Sequence, residues 1–314
     1  MSVPLVEIVR SGFIEGRHHG SVIALAPDGS VEWSLGDVTS QMLPRSANKP
    51  LQALAMLGLG LDLDPELLAL ACSSHSGEQM HLDGVRRILS DAGLAEMALG
   101  NVADYPLAPE IRDAWIRDGR EPSKLAQCCS GKHAAMVATC VQRDWQLSGY
   151  FEPDHPLQLS IQRRFEMLTG EPAAVAIDGC GAPVLSASLV GLGRAYQVLA
   201  LATDGDAWRV AEAIRRHPEM VSGTTRDEYR LLSAIPGAIG KFGAEAVYVV
   251  ALPDGRTVAL KIDDGAERAR PVVMAAALAR LGIDAAAVAE TGRTPVYGGG
   301  VVVGELRATL DTLL

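Results

Sequence analysis

Strand-like segments at both ends of this chain, enclosing a long helical middle, constrain the fold more than any single motif does. Residues 5–10 read as a strand, followed by Val22-Ile-Ala-Leu-Ala and Val31-Glu-Trp-Ser-Leu around the turn Pro27-Asp28-Gly29. The same texture returns after Gly243, where residues 246–252 and 257–263 flank Pro253-Asp254-Gly255. The Gly-rich Tyr297-Gly-Gly-Gly-Val-Val-Val reads as a last strand. In the middle, Leu51, Leu54, Ala55 and Leu59 follow a helical period, and Asp64 with Pro65 announces a second helix. Helices are expected at 80–93, 108–118, 131–142, 156–168, 184–200, 206–216, 226–234 and about 270–281. This order predicts an α/β chain of the α+β kind: an antiparallel sheet made from N- and C-terminal pieces and flanked by helices. A Rossmann fold is disfavoured, since strands do not alternate with helices and no strand leads into G-x-G-x-x-G. With no repeat, low-complexity tract or linker, residues 1–314 are expected to form one domain, with a helical middle section at about 48–240.

Composition narrows the function. Hydrophobic residues at 48% and charged residues at 21% describe an ordinary folded chain. A net charge of -10 argues against nucleic acid as a partner, because neutralising phosphates takes a basic surface. The longest charge-free apolar run, 179–193, is too short for a bilayer and is broken by Gly181, Pro183 and Gly191, so no membrane span is expected. The N-terminus lacks the features of a secretory signal, and five cysteines, an odd number, do not make a disulfide framework. The expected compartment is cytoplasmic, with reduced thiols available as ligands.

Only five of the 28 basic residues are lysines: Lys49, Lys124, Lys132, Lys241 and Lys261. Arginine stays protonated in proteins, whereas a buried lysine can become a neutral base or ligand. In Arg45-Ser46-Ala47-Asn48-Lys49-Pro50, Ser46 and Lys49 lie three apart at a helix start, a spacing that places amine and hydroxyl on one side. A neutral amine there can take the proton of an attacking hydroxyl, which requires lysine's ordinary pKa of about 10.4 to fall by roughly three units. Alone the pattern is weak, since about one lysine in fifteen has a serine three residues before it by chance. Two further signals agree with it. The pair opens the helix after the first hairpin, and Gly240-Lys241-Phe242-Gly243 precedes a strand, as in serine hydrolases with a Ser-Lys pair on an antiparallel sheet. Cys72-Ser73-Ser74-His75-Ser76-Gly77-Glu78 reads either as further lining of that pocket or as a capped helix end.

A second constellation is Cys128-Cys129-Ser130-Gly131-Lys132-His133 with Asp178-Gly179-Cys180-Gly181. A thiolate at Cys129 would be favoured by the helix N-terminus near Ser130, and thiolates select zinc among common ions. From spacing alone, a buried thiol and an anion-accepting helix N-terminus rank ahead of zinc, because there is no C-x-x-C pair and lysine binds metal only as the neutral amine. His18, His19, His81, His155 and His217 match no ligand pattern.

As a set these motifs, together with Arg216-His217-Pro218-Glu219-Met220, resemble the rhizobial-type L-asparaginases, also called class 3 or the asparaginase II family, in matching order from 45 to 243. The resemblance implies a fold similar to serine β-lactamases and glutaminases, a homodimer, and hydrolysis of L-asparagine to L-aspartate and ammonia. It makes Ser46 the nucleophile with Lys49 as its base, and Ser74 with Lys241 a second Ser-Lys pair. It assigns one zinc ion per chain to Cys129, Lys132 and Cys180, with His133 and Asp178 beside the ligands, and reverses the ranking that spacing gave. Arg45, His75 and Glu78 are the expected substrate-binding residues, Arg45 on chemical grounds as partner of the substrate α-carboxylate. Cys128 departs from the family pattern, which has a non-ligating polar residue there. The rival readings are a glutaminase or other amidase of the same architecture, and a non-catalytic zinc-binding scaffold.

Overall fold

The computed structural model describes residues 1–313. Its strands are β1 (Val3–Arg10), β2 (Phe13–Leu25), β3 (Val31–Leu35), β4 (Val175–Ile177), β5 (Pro183–Leu185), β6 (Ile239–Gly243), β7 (Val247–Ala251), β8 (Thr257–Ile262), β9 (Pro295–Gly298) and β10 (Val301–Ala308). The helices of the middle are α1 (Lys49–Gly58), α2 (Pro65–Ala71), α3 (Gln79–Asp91), α4 (Pro109–Arg117), α5 (Ser130–Gln142) and α6 (Pro156–Thr169). They continue as α7 (Leu189–Leu201), α8 (Gly205–Arg216), α9 (Pro218–Ser222) and α10 (Asp227–Ala234), and the C-terminal part adds α11 (Arg270–Arg280), α12 (Ala286–Thr291) and α13 (Leu310–Leu313). The chain forms two compact units, a sheet unit of Met1–Ala47, Ala187–Leu201 and the chain from Arg230, and a helical unit of Asn48–Ser186 and Ala202–Tyr229.

In the sheet unit the strand order is β6-β7-β8-β2-β1-β10-β9, with β3 paired to β2. Every pairing is antiparallel, and the termini meet where β1 pairs with β10 and β2 with β8. The long β2 does this by changing partners. Phe13–Gly20 face β1, while Gly20–Leu25 face β8. Its polar first half, with Arg17, His18 and His19, lacks an apolar alternation, so the sequence shows only the second half as a strand. α7 and α11 pack on the sheet, and β6 and β7 are buried along their whole lengths. The sheet flanked by helices is therefore the architecture expected.

Two segments differ from expectation. Tyr297–Val303 is not one strand: Gly299 and Gly300 sit at φ 58 and 84 as the two-residue turn of the β9–β10 hairpin, a conformation that favours glycine. The expected helix 184–200 starts only at Leu189, because Pro183–Leu185 pairs with Val175–Ile177 as a small hairpin.

The helical unit packs α5 against α2 and α3, and Ala134, Ala135 and Met136 of α5, Leu67 and Leu70 of α2 and Val85 of α3 are all buried. Gly131 in the first turn of α5 makes that fit possible. A Cβ there would lie 2.4 Å from the carbonyl oxygen of Leu70, so α5 begins against the backbone at the end of α2. Among the described residues, no helix is long and apolar enough to cross a membrane.

Candidate active site

Within the sheet unit, Ser46 lies in the single 3-10 turn Arg45–Asn48, which leads directly into α1. Ser46 is buried and the preceding Arg45 is held at φ 53, a left-handed conformation that is strained for a side chain of this kind and recurs where a turn aims a functional group. Tyr196 donates its hydroxyl hydrogen to the Ala47 carbonyl at 2.8 Å and fixes the end of this segment. A Cβ on Gly243 would lie 2.2 Å from the Pro44 carbonyl oxygen, so β6 runs immediately against the backbone that carries Ser46. Lys241, two residues before Gly243, shares its face of β6 by the strand period and is therefore on the Ser46 side. Lys241 is fully buried, with its nitrogen 3.8 Å from the centre of the Phe242 ring.

Within the helical unit, Lys49 is 1% exposed and its amine reaches three groups: the Ser73 carbonyl, Ser74 Oγ at 3.0 Å and Cys129 Sγ at 3.2 Å. Carbonyl, hydroxyl and sulfur thus surround the amine within this unit. The arrangement arises because the Ser73–Ser76 segment, following α2, is anchored by Ser74 N–H to Val221 O and His75 N–H to Cys128 O.

His75 and His81 stack, with ring centroids 5.2 Å apart. Nδ1 of His75 accepts the Gly77 N–H and its Nε2 donates to Ser130 Oγ, which passes its own proton to the Leu125 carbonyl. Both rings are held below the ordinary histidine pKa, first by burial, and for His75 also by its positive neighbours. His75 is thus a neutral structural link between the Ser74 segment and the start of α5. Glu78 begins α3, where its backbone N–H donates to His81 Nδ1, and its carboxylate accepts the Thr224 N–H and hydroxyl at 2.7 and 3.1 Å.

Cys129 stands at the N-terminus of α5 and Cys180 in the tight β4–β5 loop, where Asp178 donates its N–H to Ala182 O and its carboxylate accepts the Gly179 N–H. Lys132, one turn into α5, reaches Cys180 Sγ at 3.2 Å. Hydrogen bonds from the Cys128 and Cys180 thiols, with the charges of Lys49 and Lys132, hold Cys129 well below the ordinary thiol pKa despite its burial. Cys180 and Cys128 are correspondingly pushed up, first by that same hydrogen bonding to Cys129 and then by burial. Burial opposes the charge on Lys132, but the Cys180 and Cys129 sulfurs and Asp178 outweigh it and raise its pKa. The buried Cys140, without such partners, is simply pushed up to about 11.

Two thiol sulfurs and one amine converging in a buried spot form a donor set that fits zinc. Among the described residues no group of three or more His, Cys, Asp or Glu side chains is placed to hold a metal. Ser73 Oγ and His133 Nε2 are among the buried polar atoms of this unit for which no hydrogen bond is found.

Tyr150 and Thr224 belong to this constellation and carry no signal in the sequence. The Tyr150 hydroxyl accepts the Gly100 N–H and lies 2.5 Å from His133 Nδ1, 17 residues away along the chain, while Thr224 meets Glu78 from a distance of 146 residues. Only packing relates such positions.

Among solved structures, the chain is similar to a β-lactamase from Mycobacterium bovis, with 12% identity and a TM-score of 0.39 over 83% of this chain and 94% of that one. It is also similar to EstCE1, a hydrolase with promiscuous acyltransferase activity, with 14% identity and a TM-score of 0.40 over 79% and 89%. A simvastatin synthase variant from Aspergillus terreus matches with 11% identity and a TM-score of 0.32 over 78% and 86%. No curated protein matches the sequence. The family model described as L-asparaginase II matches residues 6–308. The chain belongs to the L-asparaginase II family, and with it to the asparaginase-like hydrolases.

Proposed function

We propose that this protein hydrolyses L-asparagine to L-aspartate and ammonia through a serine ester. The observation that carries the reading is the Lys49 amine, buried and hydrogen-bonded to Ser74 Oγ beside the Cys129–Lys132–Cys180 cluster, one helical turn along the chain from Ser46. In the first half-reaction Ser46 Oγ attacks the carboxamide carbon as Lys49 accepts its proton. The C–N bond breaks and ammonia leaves with a proton supplied from the Lys49–Ser74 hydrogen bond. In the second, water loses a proton to the same base and attacks the ester carbon, and the Ser46 oxygen leaves with a proton returned to it. Each such transfer is worth roughly 10²–10⁴-fold in rate. The motifs assign Lys241 to a second Ser-Lys pair with Ser74 and Arg45 to the substrate α-carboxylate. Cys129, Lys132 and Cys180 would hold zinc, which when bound organises the pocket around the substrate.

The Lys49–Ser74 hydrogen bond also favours a second assignment within this reaction, with Ser74 as the attacking oxygen. The test is ammonia release from asparagine and from glutamine by wild type, Ser46→Ala, Lys49→Ala and Ser74→Ala, with the mass of quenched turnover samples recorded. Loss of ammonia release in Ser46→Ala and Lys49→Ala, with an aspartyl adduct on the Ser46 peptide of wild type, is the expected result. Full activity in both variants overturns the mechanism, an adduct on Ser74 selects the second assignment, and preference for glutamine replaces the substrate.

A further inference from the structure

We infer that Cys128 and Cys129 are a redox modification site that takes a hydroperoxide and closes into a reversible disulfide. Their sulfurs lie 3.8 Å apart in the helical unit. Side chains of consecutive residues ordinarily face apart on a helix, and here the backbone entering α5 is held so that they meet. Gln127 does most of this: its Oε1 accepts the Cys129 N–H at 2.9 Å and its Nε2 donates to Cys128 Sγ at 3.8 Å. Asn101 Nδ2 donates to the same Gln127 oxygen at 3.3 Å, and the Cys128 carbonyl accepts the His75 N–H at 3.1 Å. The dipeptide is thus clamped from both sides.

Access separates this pair from the other cysteines. Cys128 is partly exposed, whereas Cys72, Cys140 and Cys180 are buried. An oxidant small enough to enter beside Cys128 therefore meets this pair first. Cys129 is the better nucleophile of the two, because its sulfur accepts a hydrogen bond from Lys49 Nζ at 3.2 Å and stands at the N-terminus of the 13-residue α5. Cys129 Sγ attacks one peroxide oxygen, the O–O bond breaks, and the other oxygen leaves with a proton as water or an alcohol, which gives a sulfenic acid at Cys129. Cys128 Sγ then attacks that sulfur, the S–O bond breaks, and the hydroxyl leaves as water with the Cys128 proton. The hydroperoxide gains two electrons and the two thiols lose them. Consecutive α-carbons are about 3.8 Å apart across a trans peptide, short of the roughly 4.4–6.8 Å usual for a disulfide, so the bond is strained and readily reduced by a dithiol. While closed, it also takes up the Cys129 sulfur, one of the three donors proposed for zinc. That consequence rests on the reading given above, and the bond itself does not.

The test treats the full chain as purified with a molar excess of hydrogen peroxide, alkylates the remaining thiols after unfolding, and maps tryptic peptides with and without dithiothreitol. Cys128 and Cys129 share the peptide 125–132, whereas Cys180 lies on 165–194. The expected result is peptide 125–132 lighter by two hydrogens and free of alkyl groups, restored by dithiothreitol, with the Cys72 and Cys140 peptides fully alkylated. Cys180→Ser should leave this pattern unchanged, and Cys128→Ser should accumulate a dimedone adduct at Cys129 that wild type lacks. A cross-link between 125–132 and 165–194 in wild type overturns the inference, as does an unreacted peptide 125–132. Irreversible oxygen addition at Cys129 of wild type, or oxidation of Cys72 or Cys140 at the same rate, overturns it too. If a variant loses its native circular dichroism spectrum, the wild-type map decides alone. The map reads the same whether or not the protein hydrolyses asparagine, so failure of one reading leaves the other standing.

Discussion

The two units bury different kinds of residue. Along β7 and β8 the sheet unit is filled with Val, Ala, Leu and Ile, and its buried ionisable groups are few, with Lys241, Arg270 and His18 the clearest. The helical unit buries Lys49, Lys132, His75, His81 and His133 together with Cys129 and Cys180. Apolar burial is favourable wherever it occurs, whereas each buried ionisable group needs a partner supplied by the surrounding fold. The burial of ionisable groups is thus concentrated in the helical unit.

The largest effects should separate the two lysines. Lys49→Met removes an amine with three partners and is expected to lower kcat/KM for asparagine on the order of 10³-fold, while Lys241→Met should cost roughly 10²-fold. Equal losses in steady-state kinetics would break the assignment of the tuned chemistry to the helical unit.

A matched pair of glycines sharpens the contrast in stability. Gly131→Ala forces a Cβ against Leu70 O in the helical unit, and Gly243→Ala forces one against Pro44 O in the sheet unit. Each is expected to cost about 1–3 kcal/mol in thermal or urea unfolding. Gly243→Ala should also lower activity, since the backbone it displaces carries Ser46.

Acid should reach the helical unit first. His75 and His81 have native pKa values below 6.5, so above that pH both the folded and the unfolded chain hold them neutral and their contribution is complete. As pH falls below 6.5 the unfolded chain takes up protons that the folded chain refuses, and stability drops. Asp37 of the sheet unit, held at about 2 by the N–H and hydroxyl of Ser40, keeps its contribution until pH falls below about 4. Hydrogen exchange between pH 7 and 5 should therefore show protection lost in α3 before β7, and the reverse order would break the comparison. The smallest expected effect is Glu78→Gln, about 1 kcal/mol from weakened bonds to Thr224, read by urea unfolding.

Much of the sheet was legible because its turns are local. Pro27-Asp28-Gly29 and Pro253-Asp254-Gly255 each close a hairpin within the span of a few residues, and alternation or continuous β-branched runs mark the strands beside them. The first half of β2 was not legible, since its polar residues become a strand only by pairing with β1. The β4–β5 hairpin was hidden for a similar reason: three-residue strands are too short to show a period. Within the candidate site, the motifs named Lys49, Ser74, Cys129, Lys132 and Cys180, and all five are buried in the helical unit. They gave no hint of Tyr150, or of Glu78 and His75 spending their polar atoms on backbone and hydroxyl partners.

The sequence by itself determined the family, the two sets of strands and the short spacings Ser46 to Lys49 and Cys129 to Lys132, because helix geometry relates residues three apart without help from the rest of the chain. Tertiary structure alone decided that Lys49 meets Ser74 and Cys129, 25 and 80 residues on, and that Lys132 meets Cys180, 48 residues on. Those meetings depend on α5 starting against the end of α2 and on a small hairpin carrying Cys180, and close packing, unlike local spacing, is a property of the whole fold.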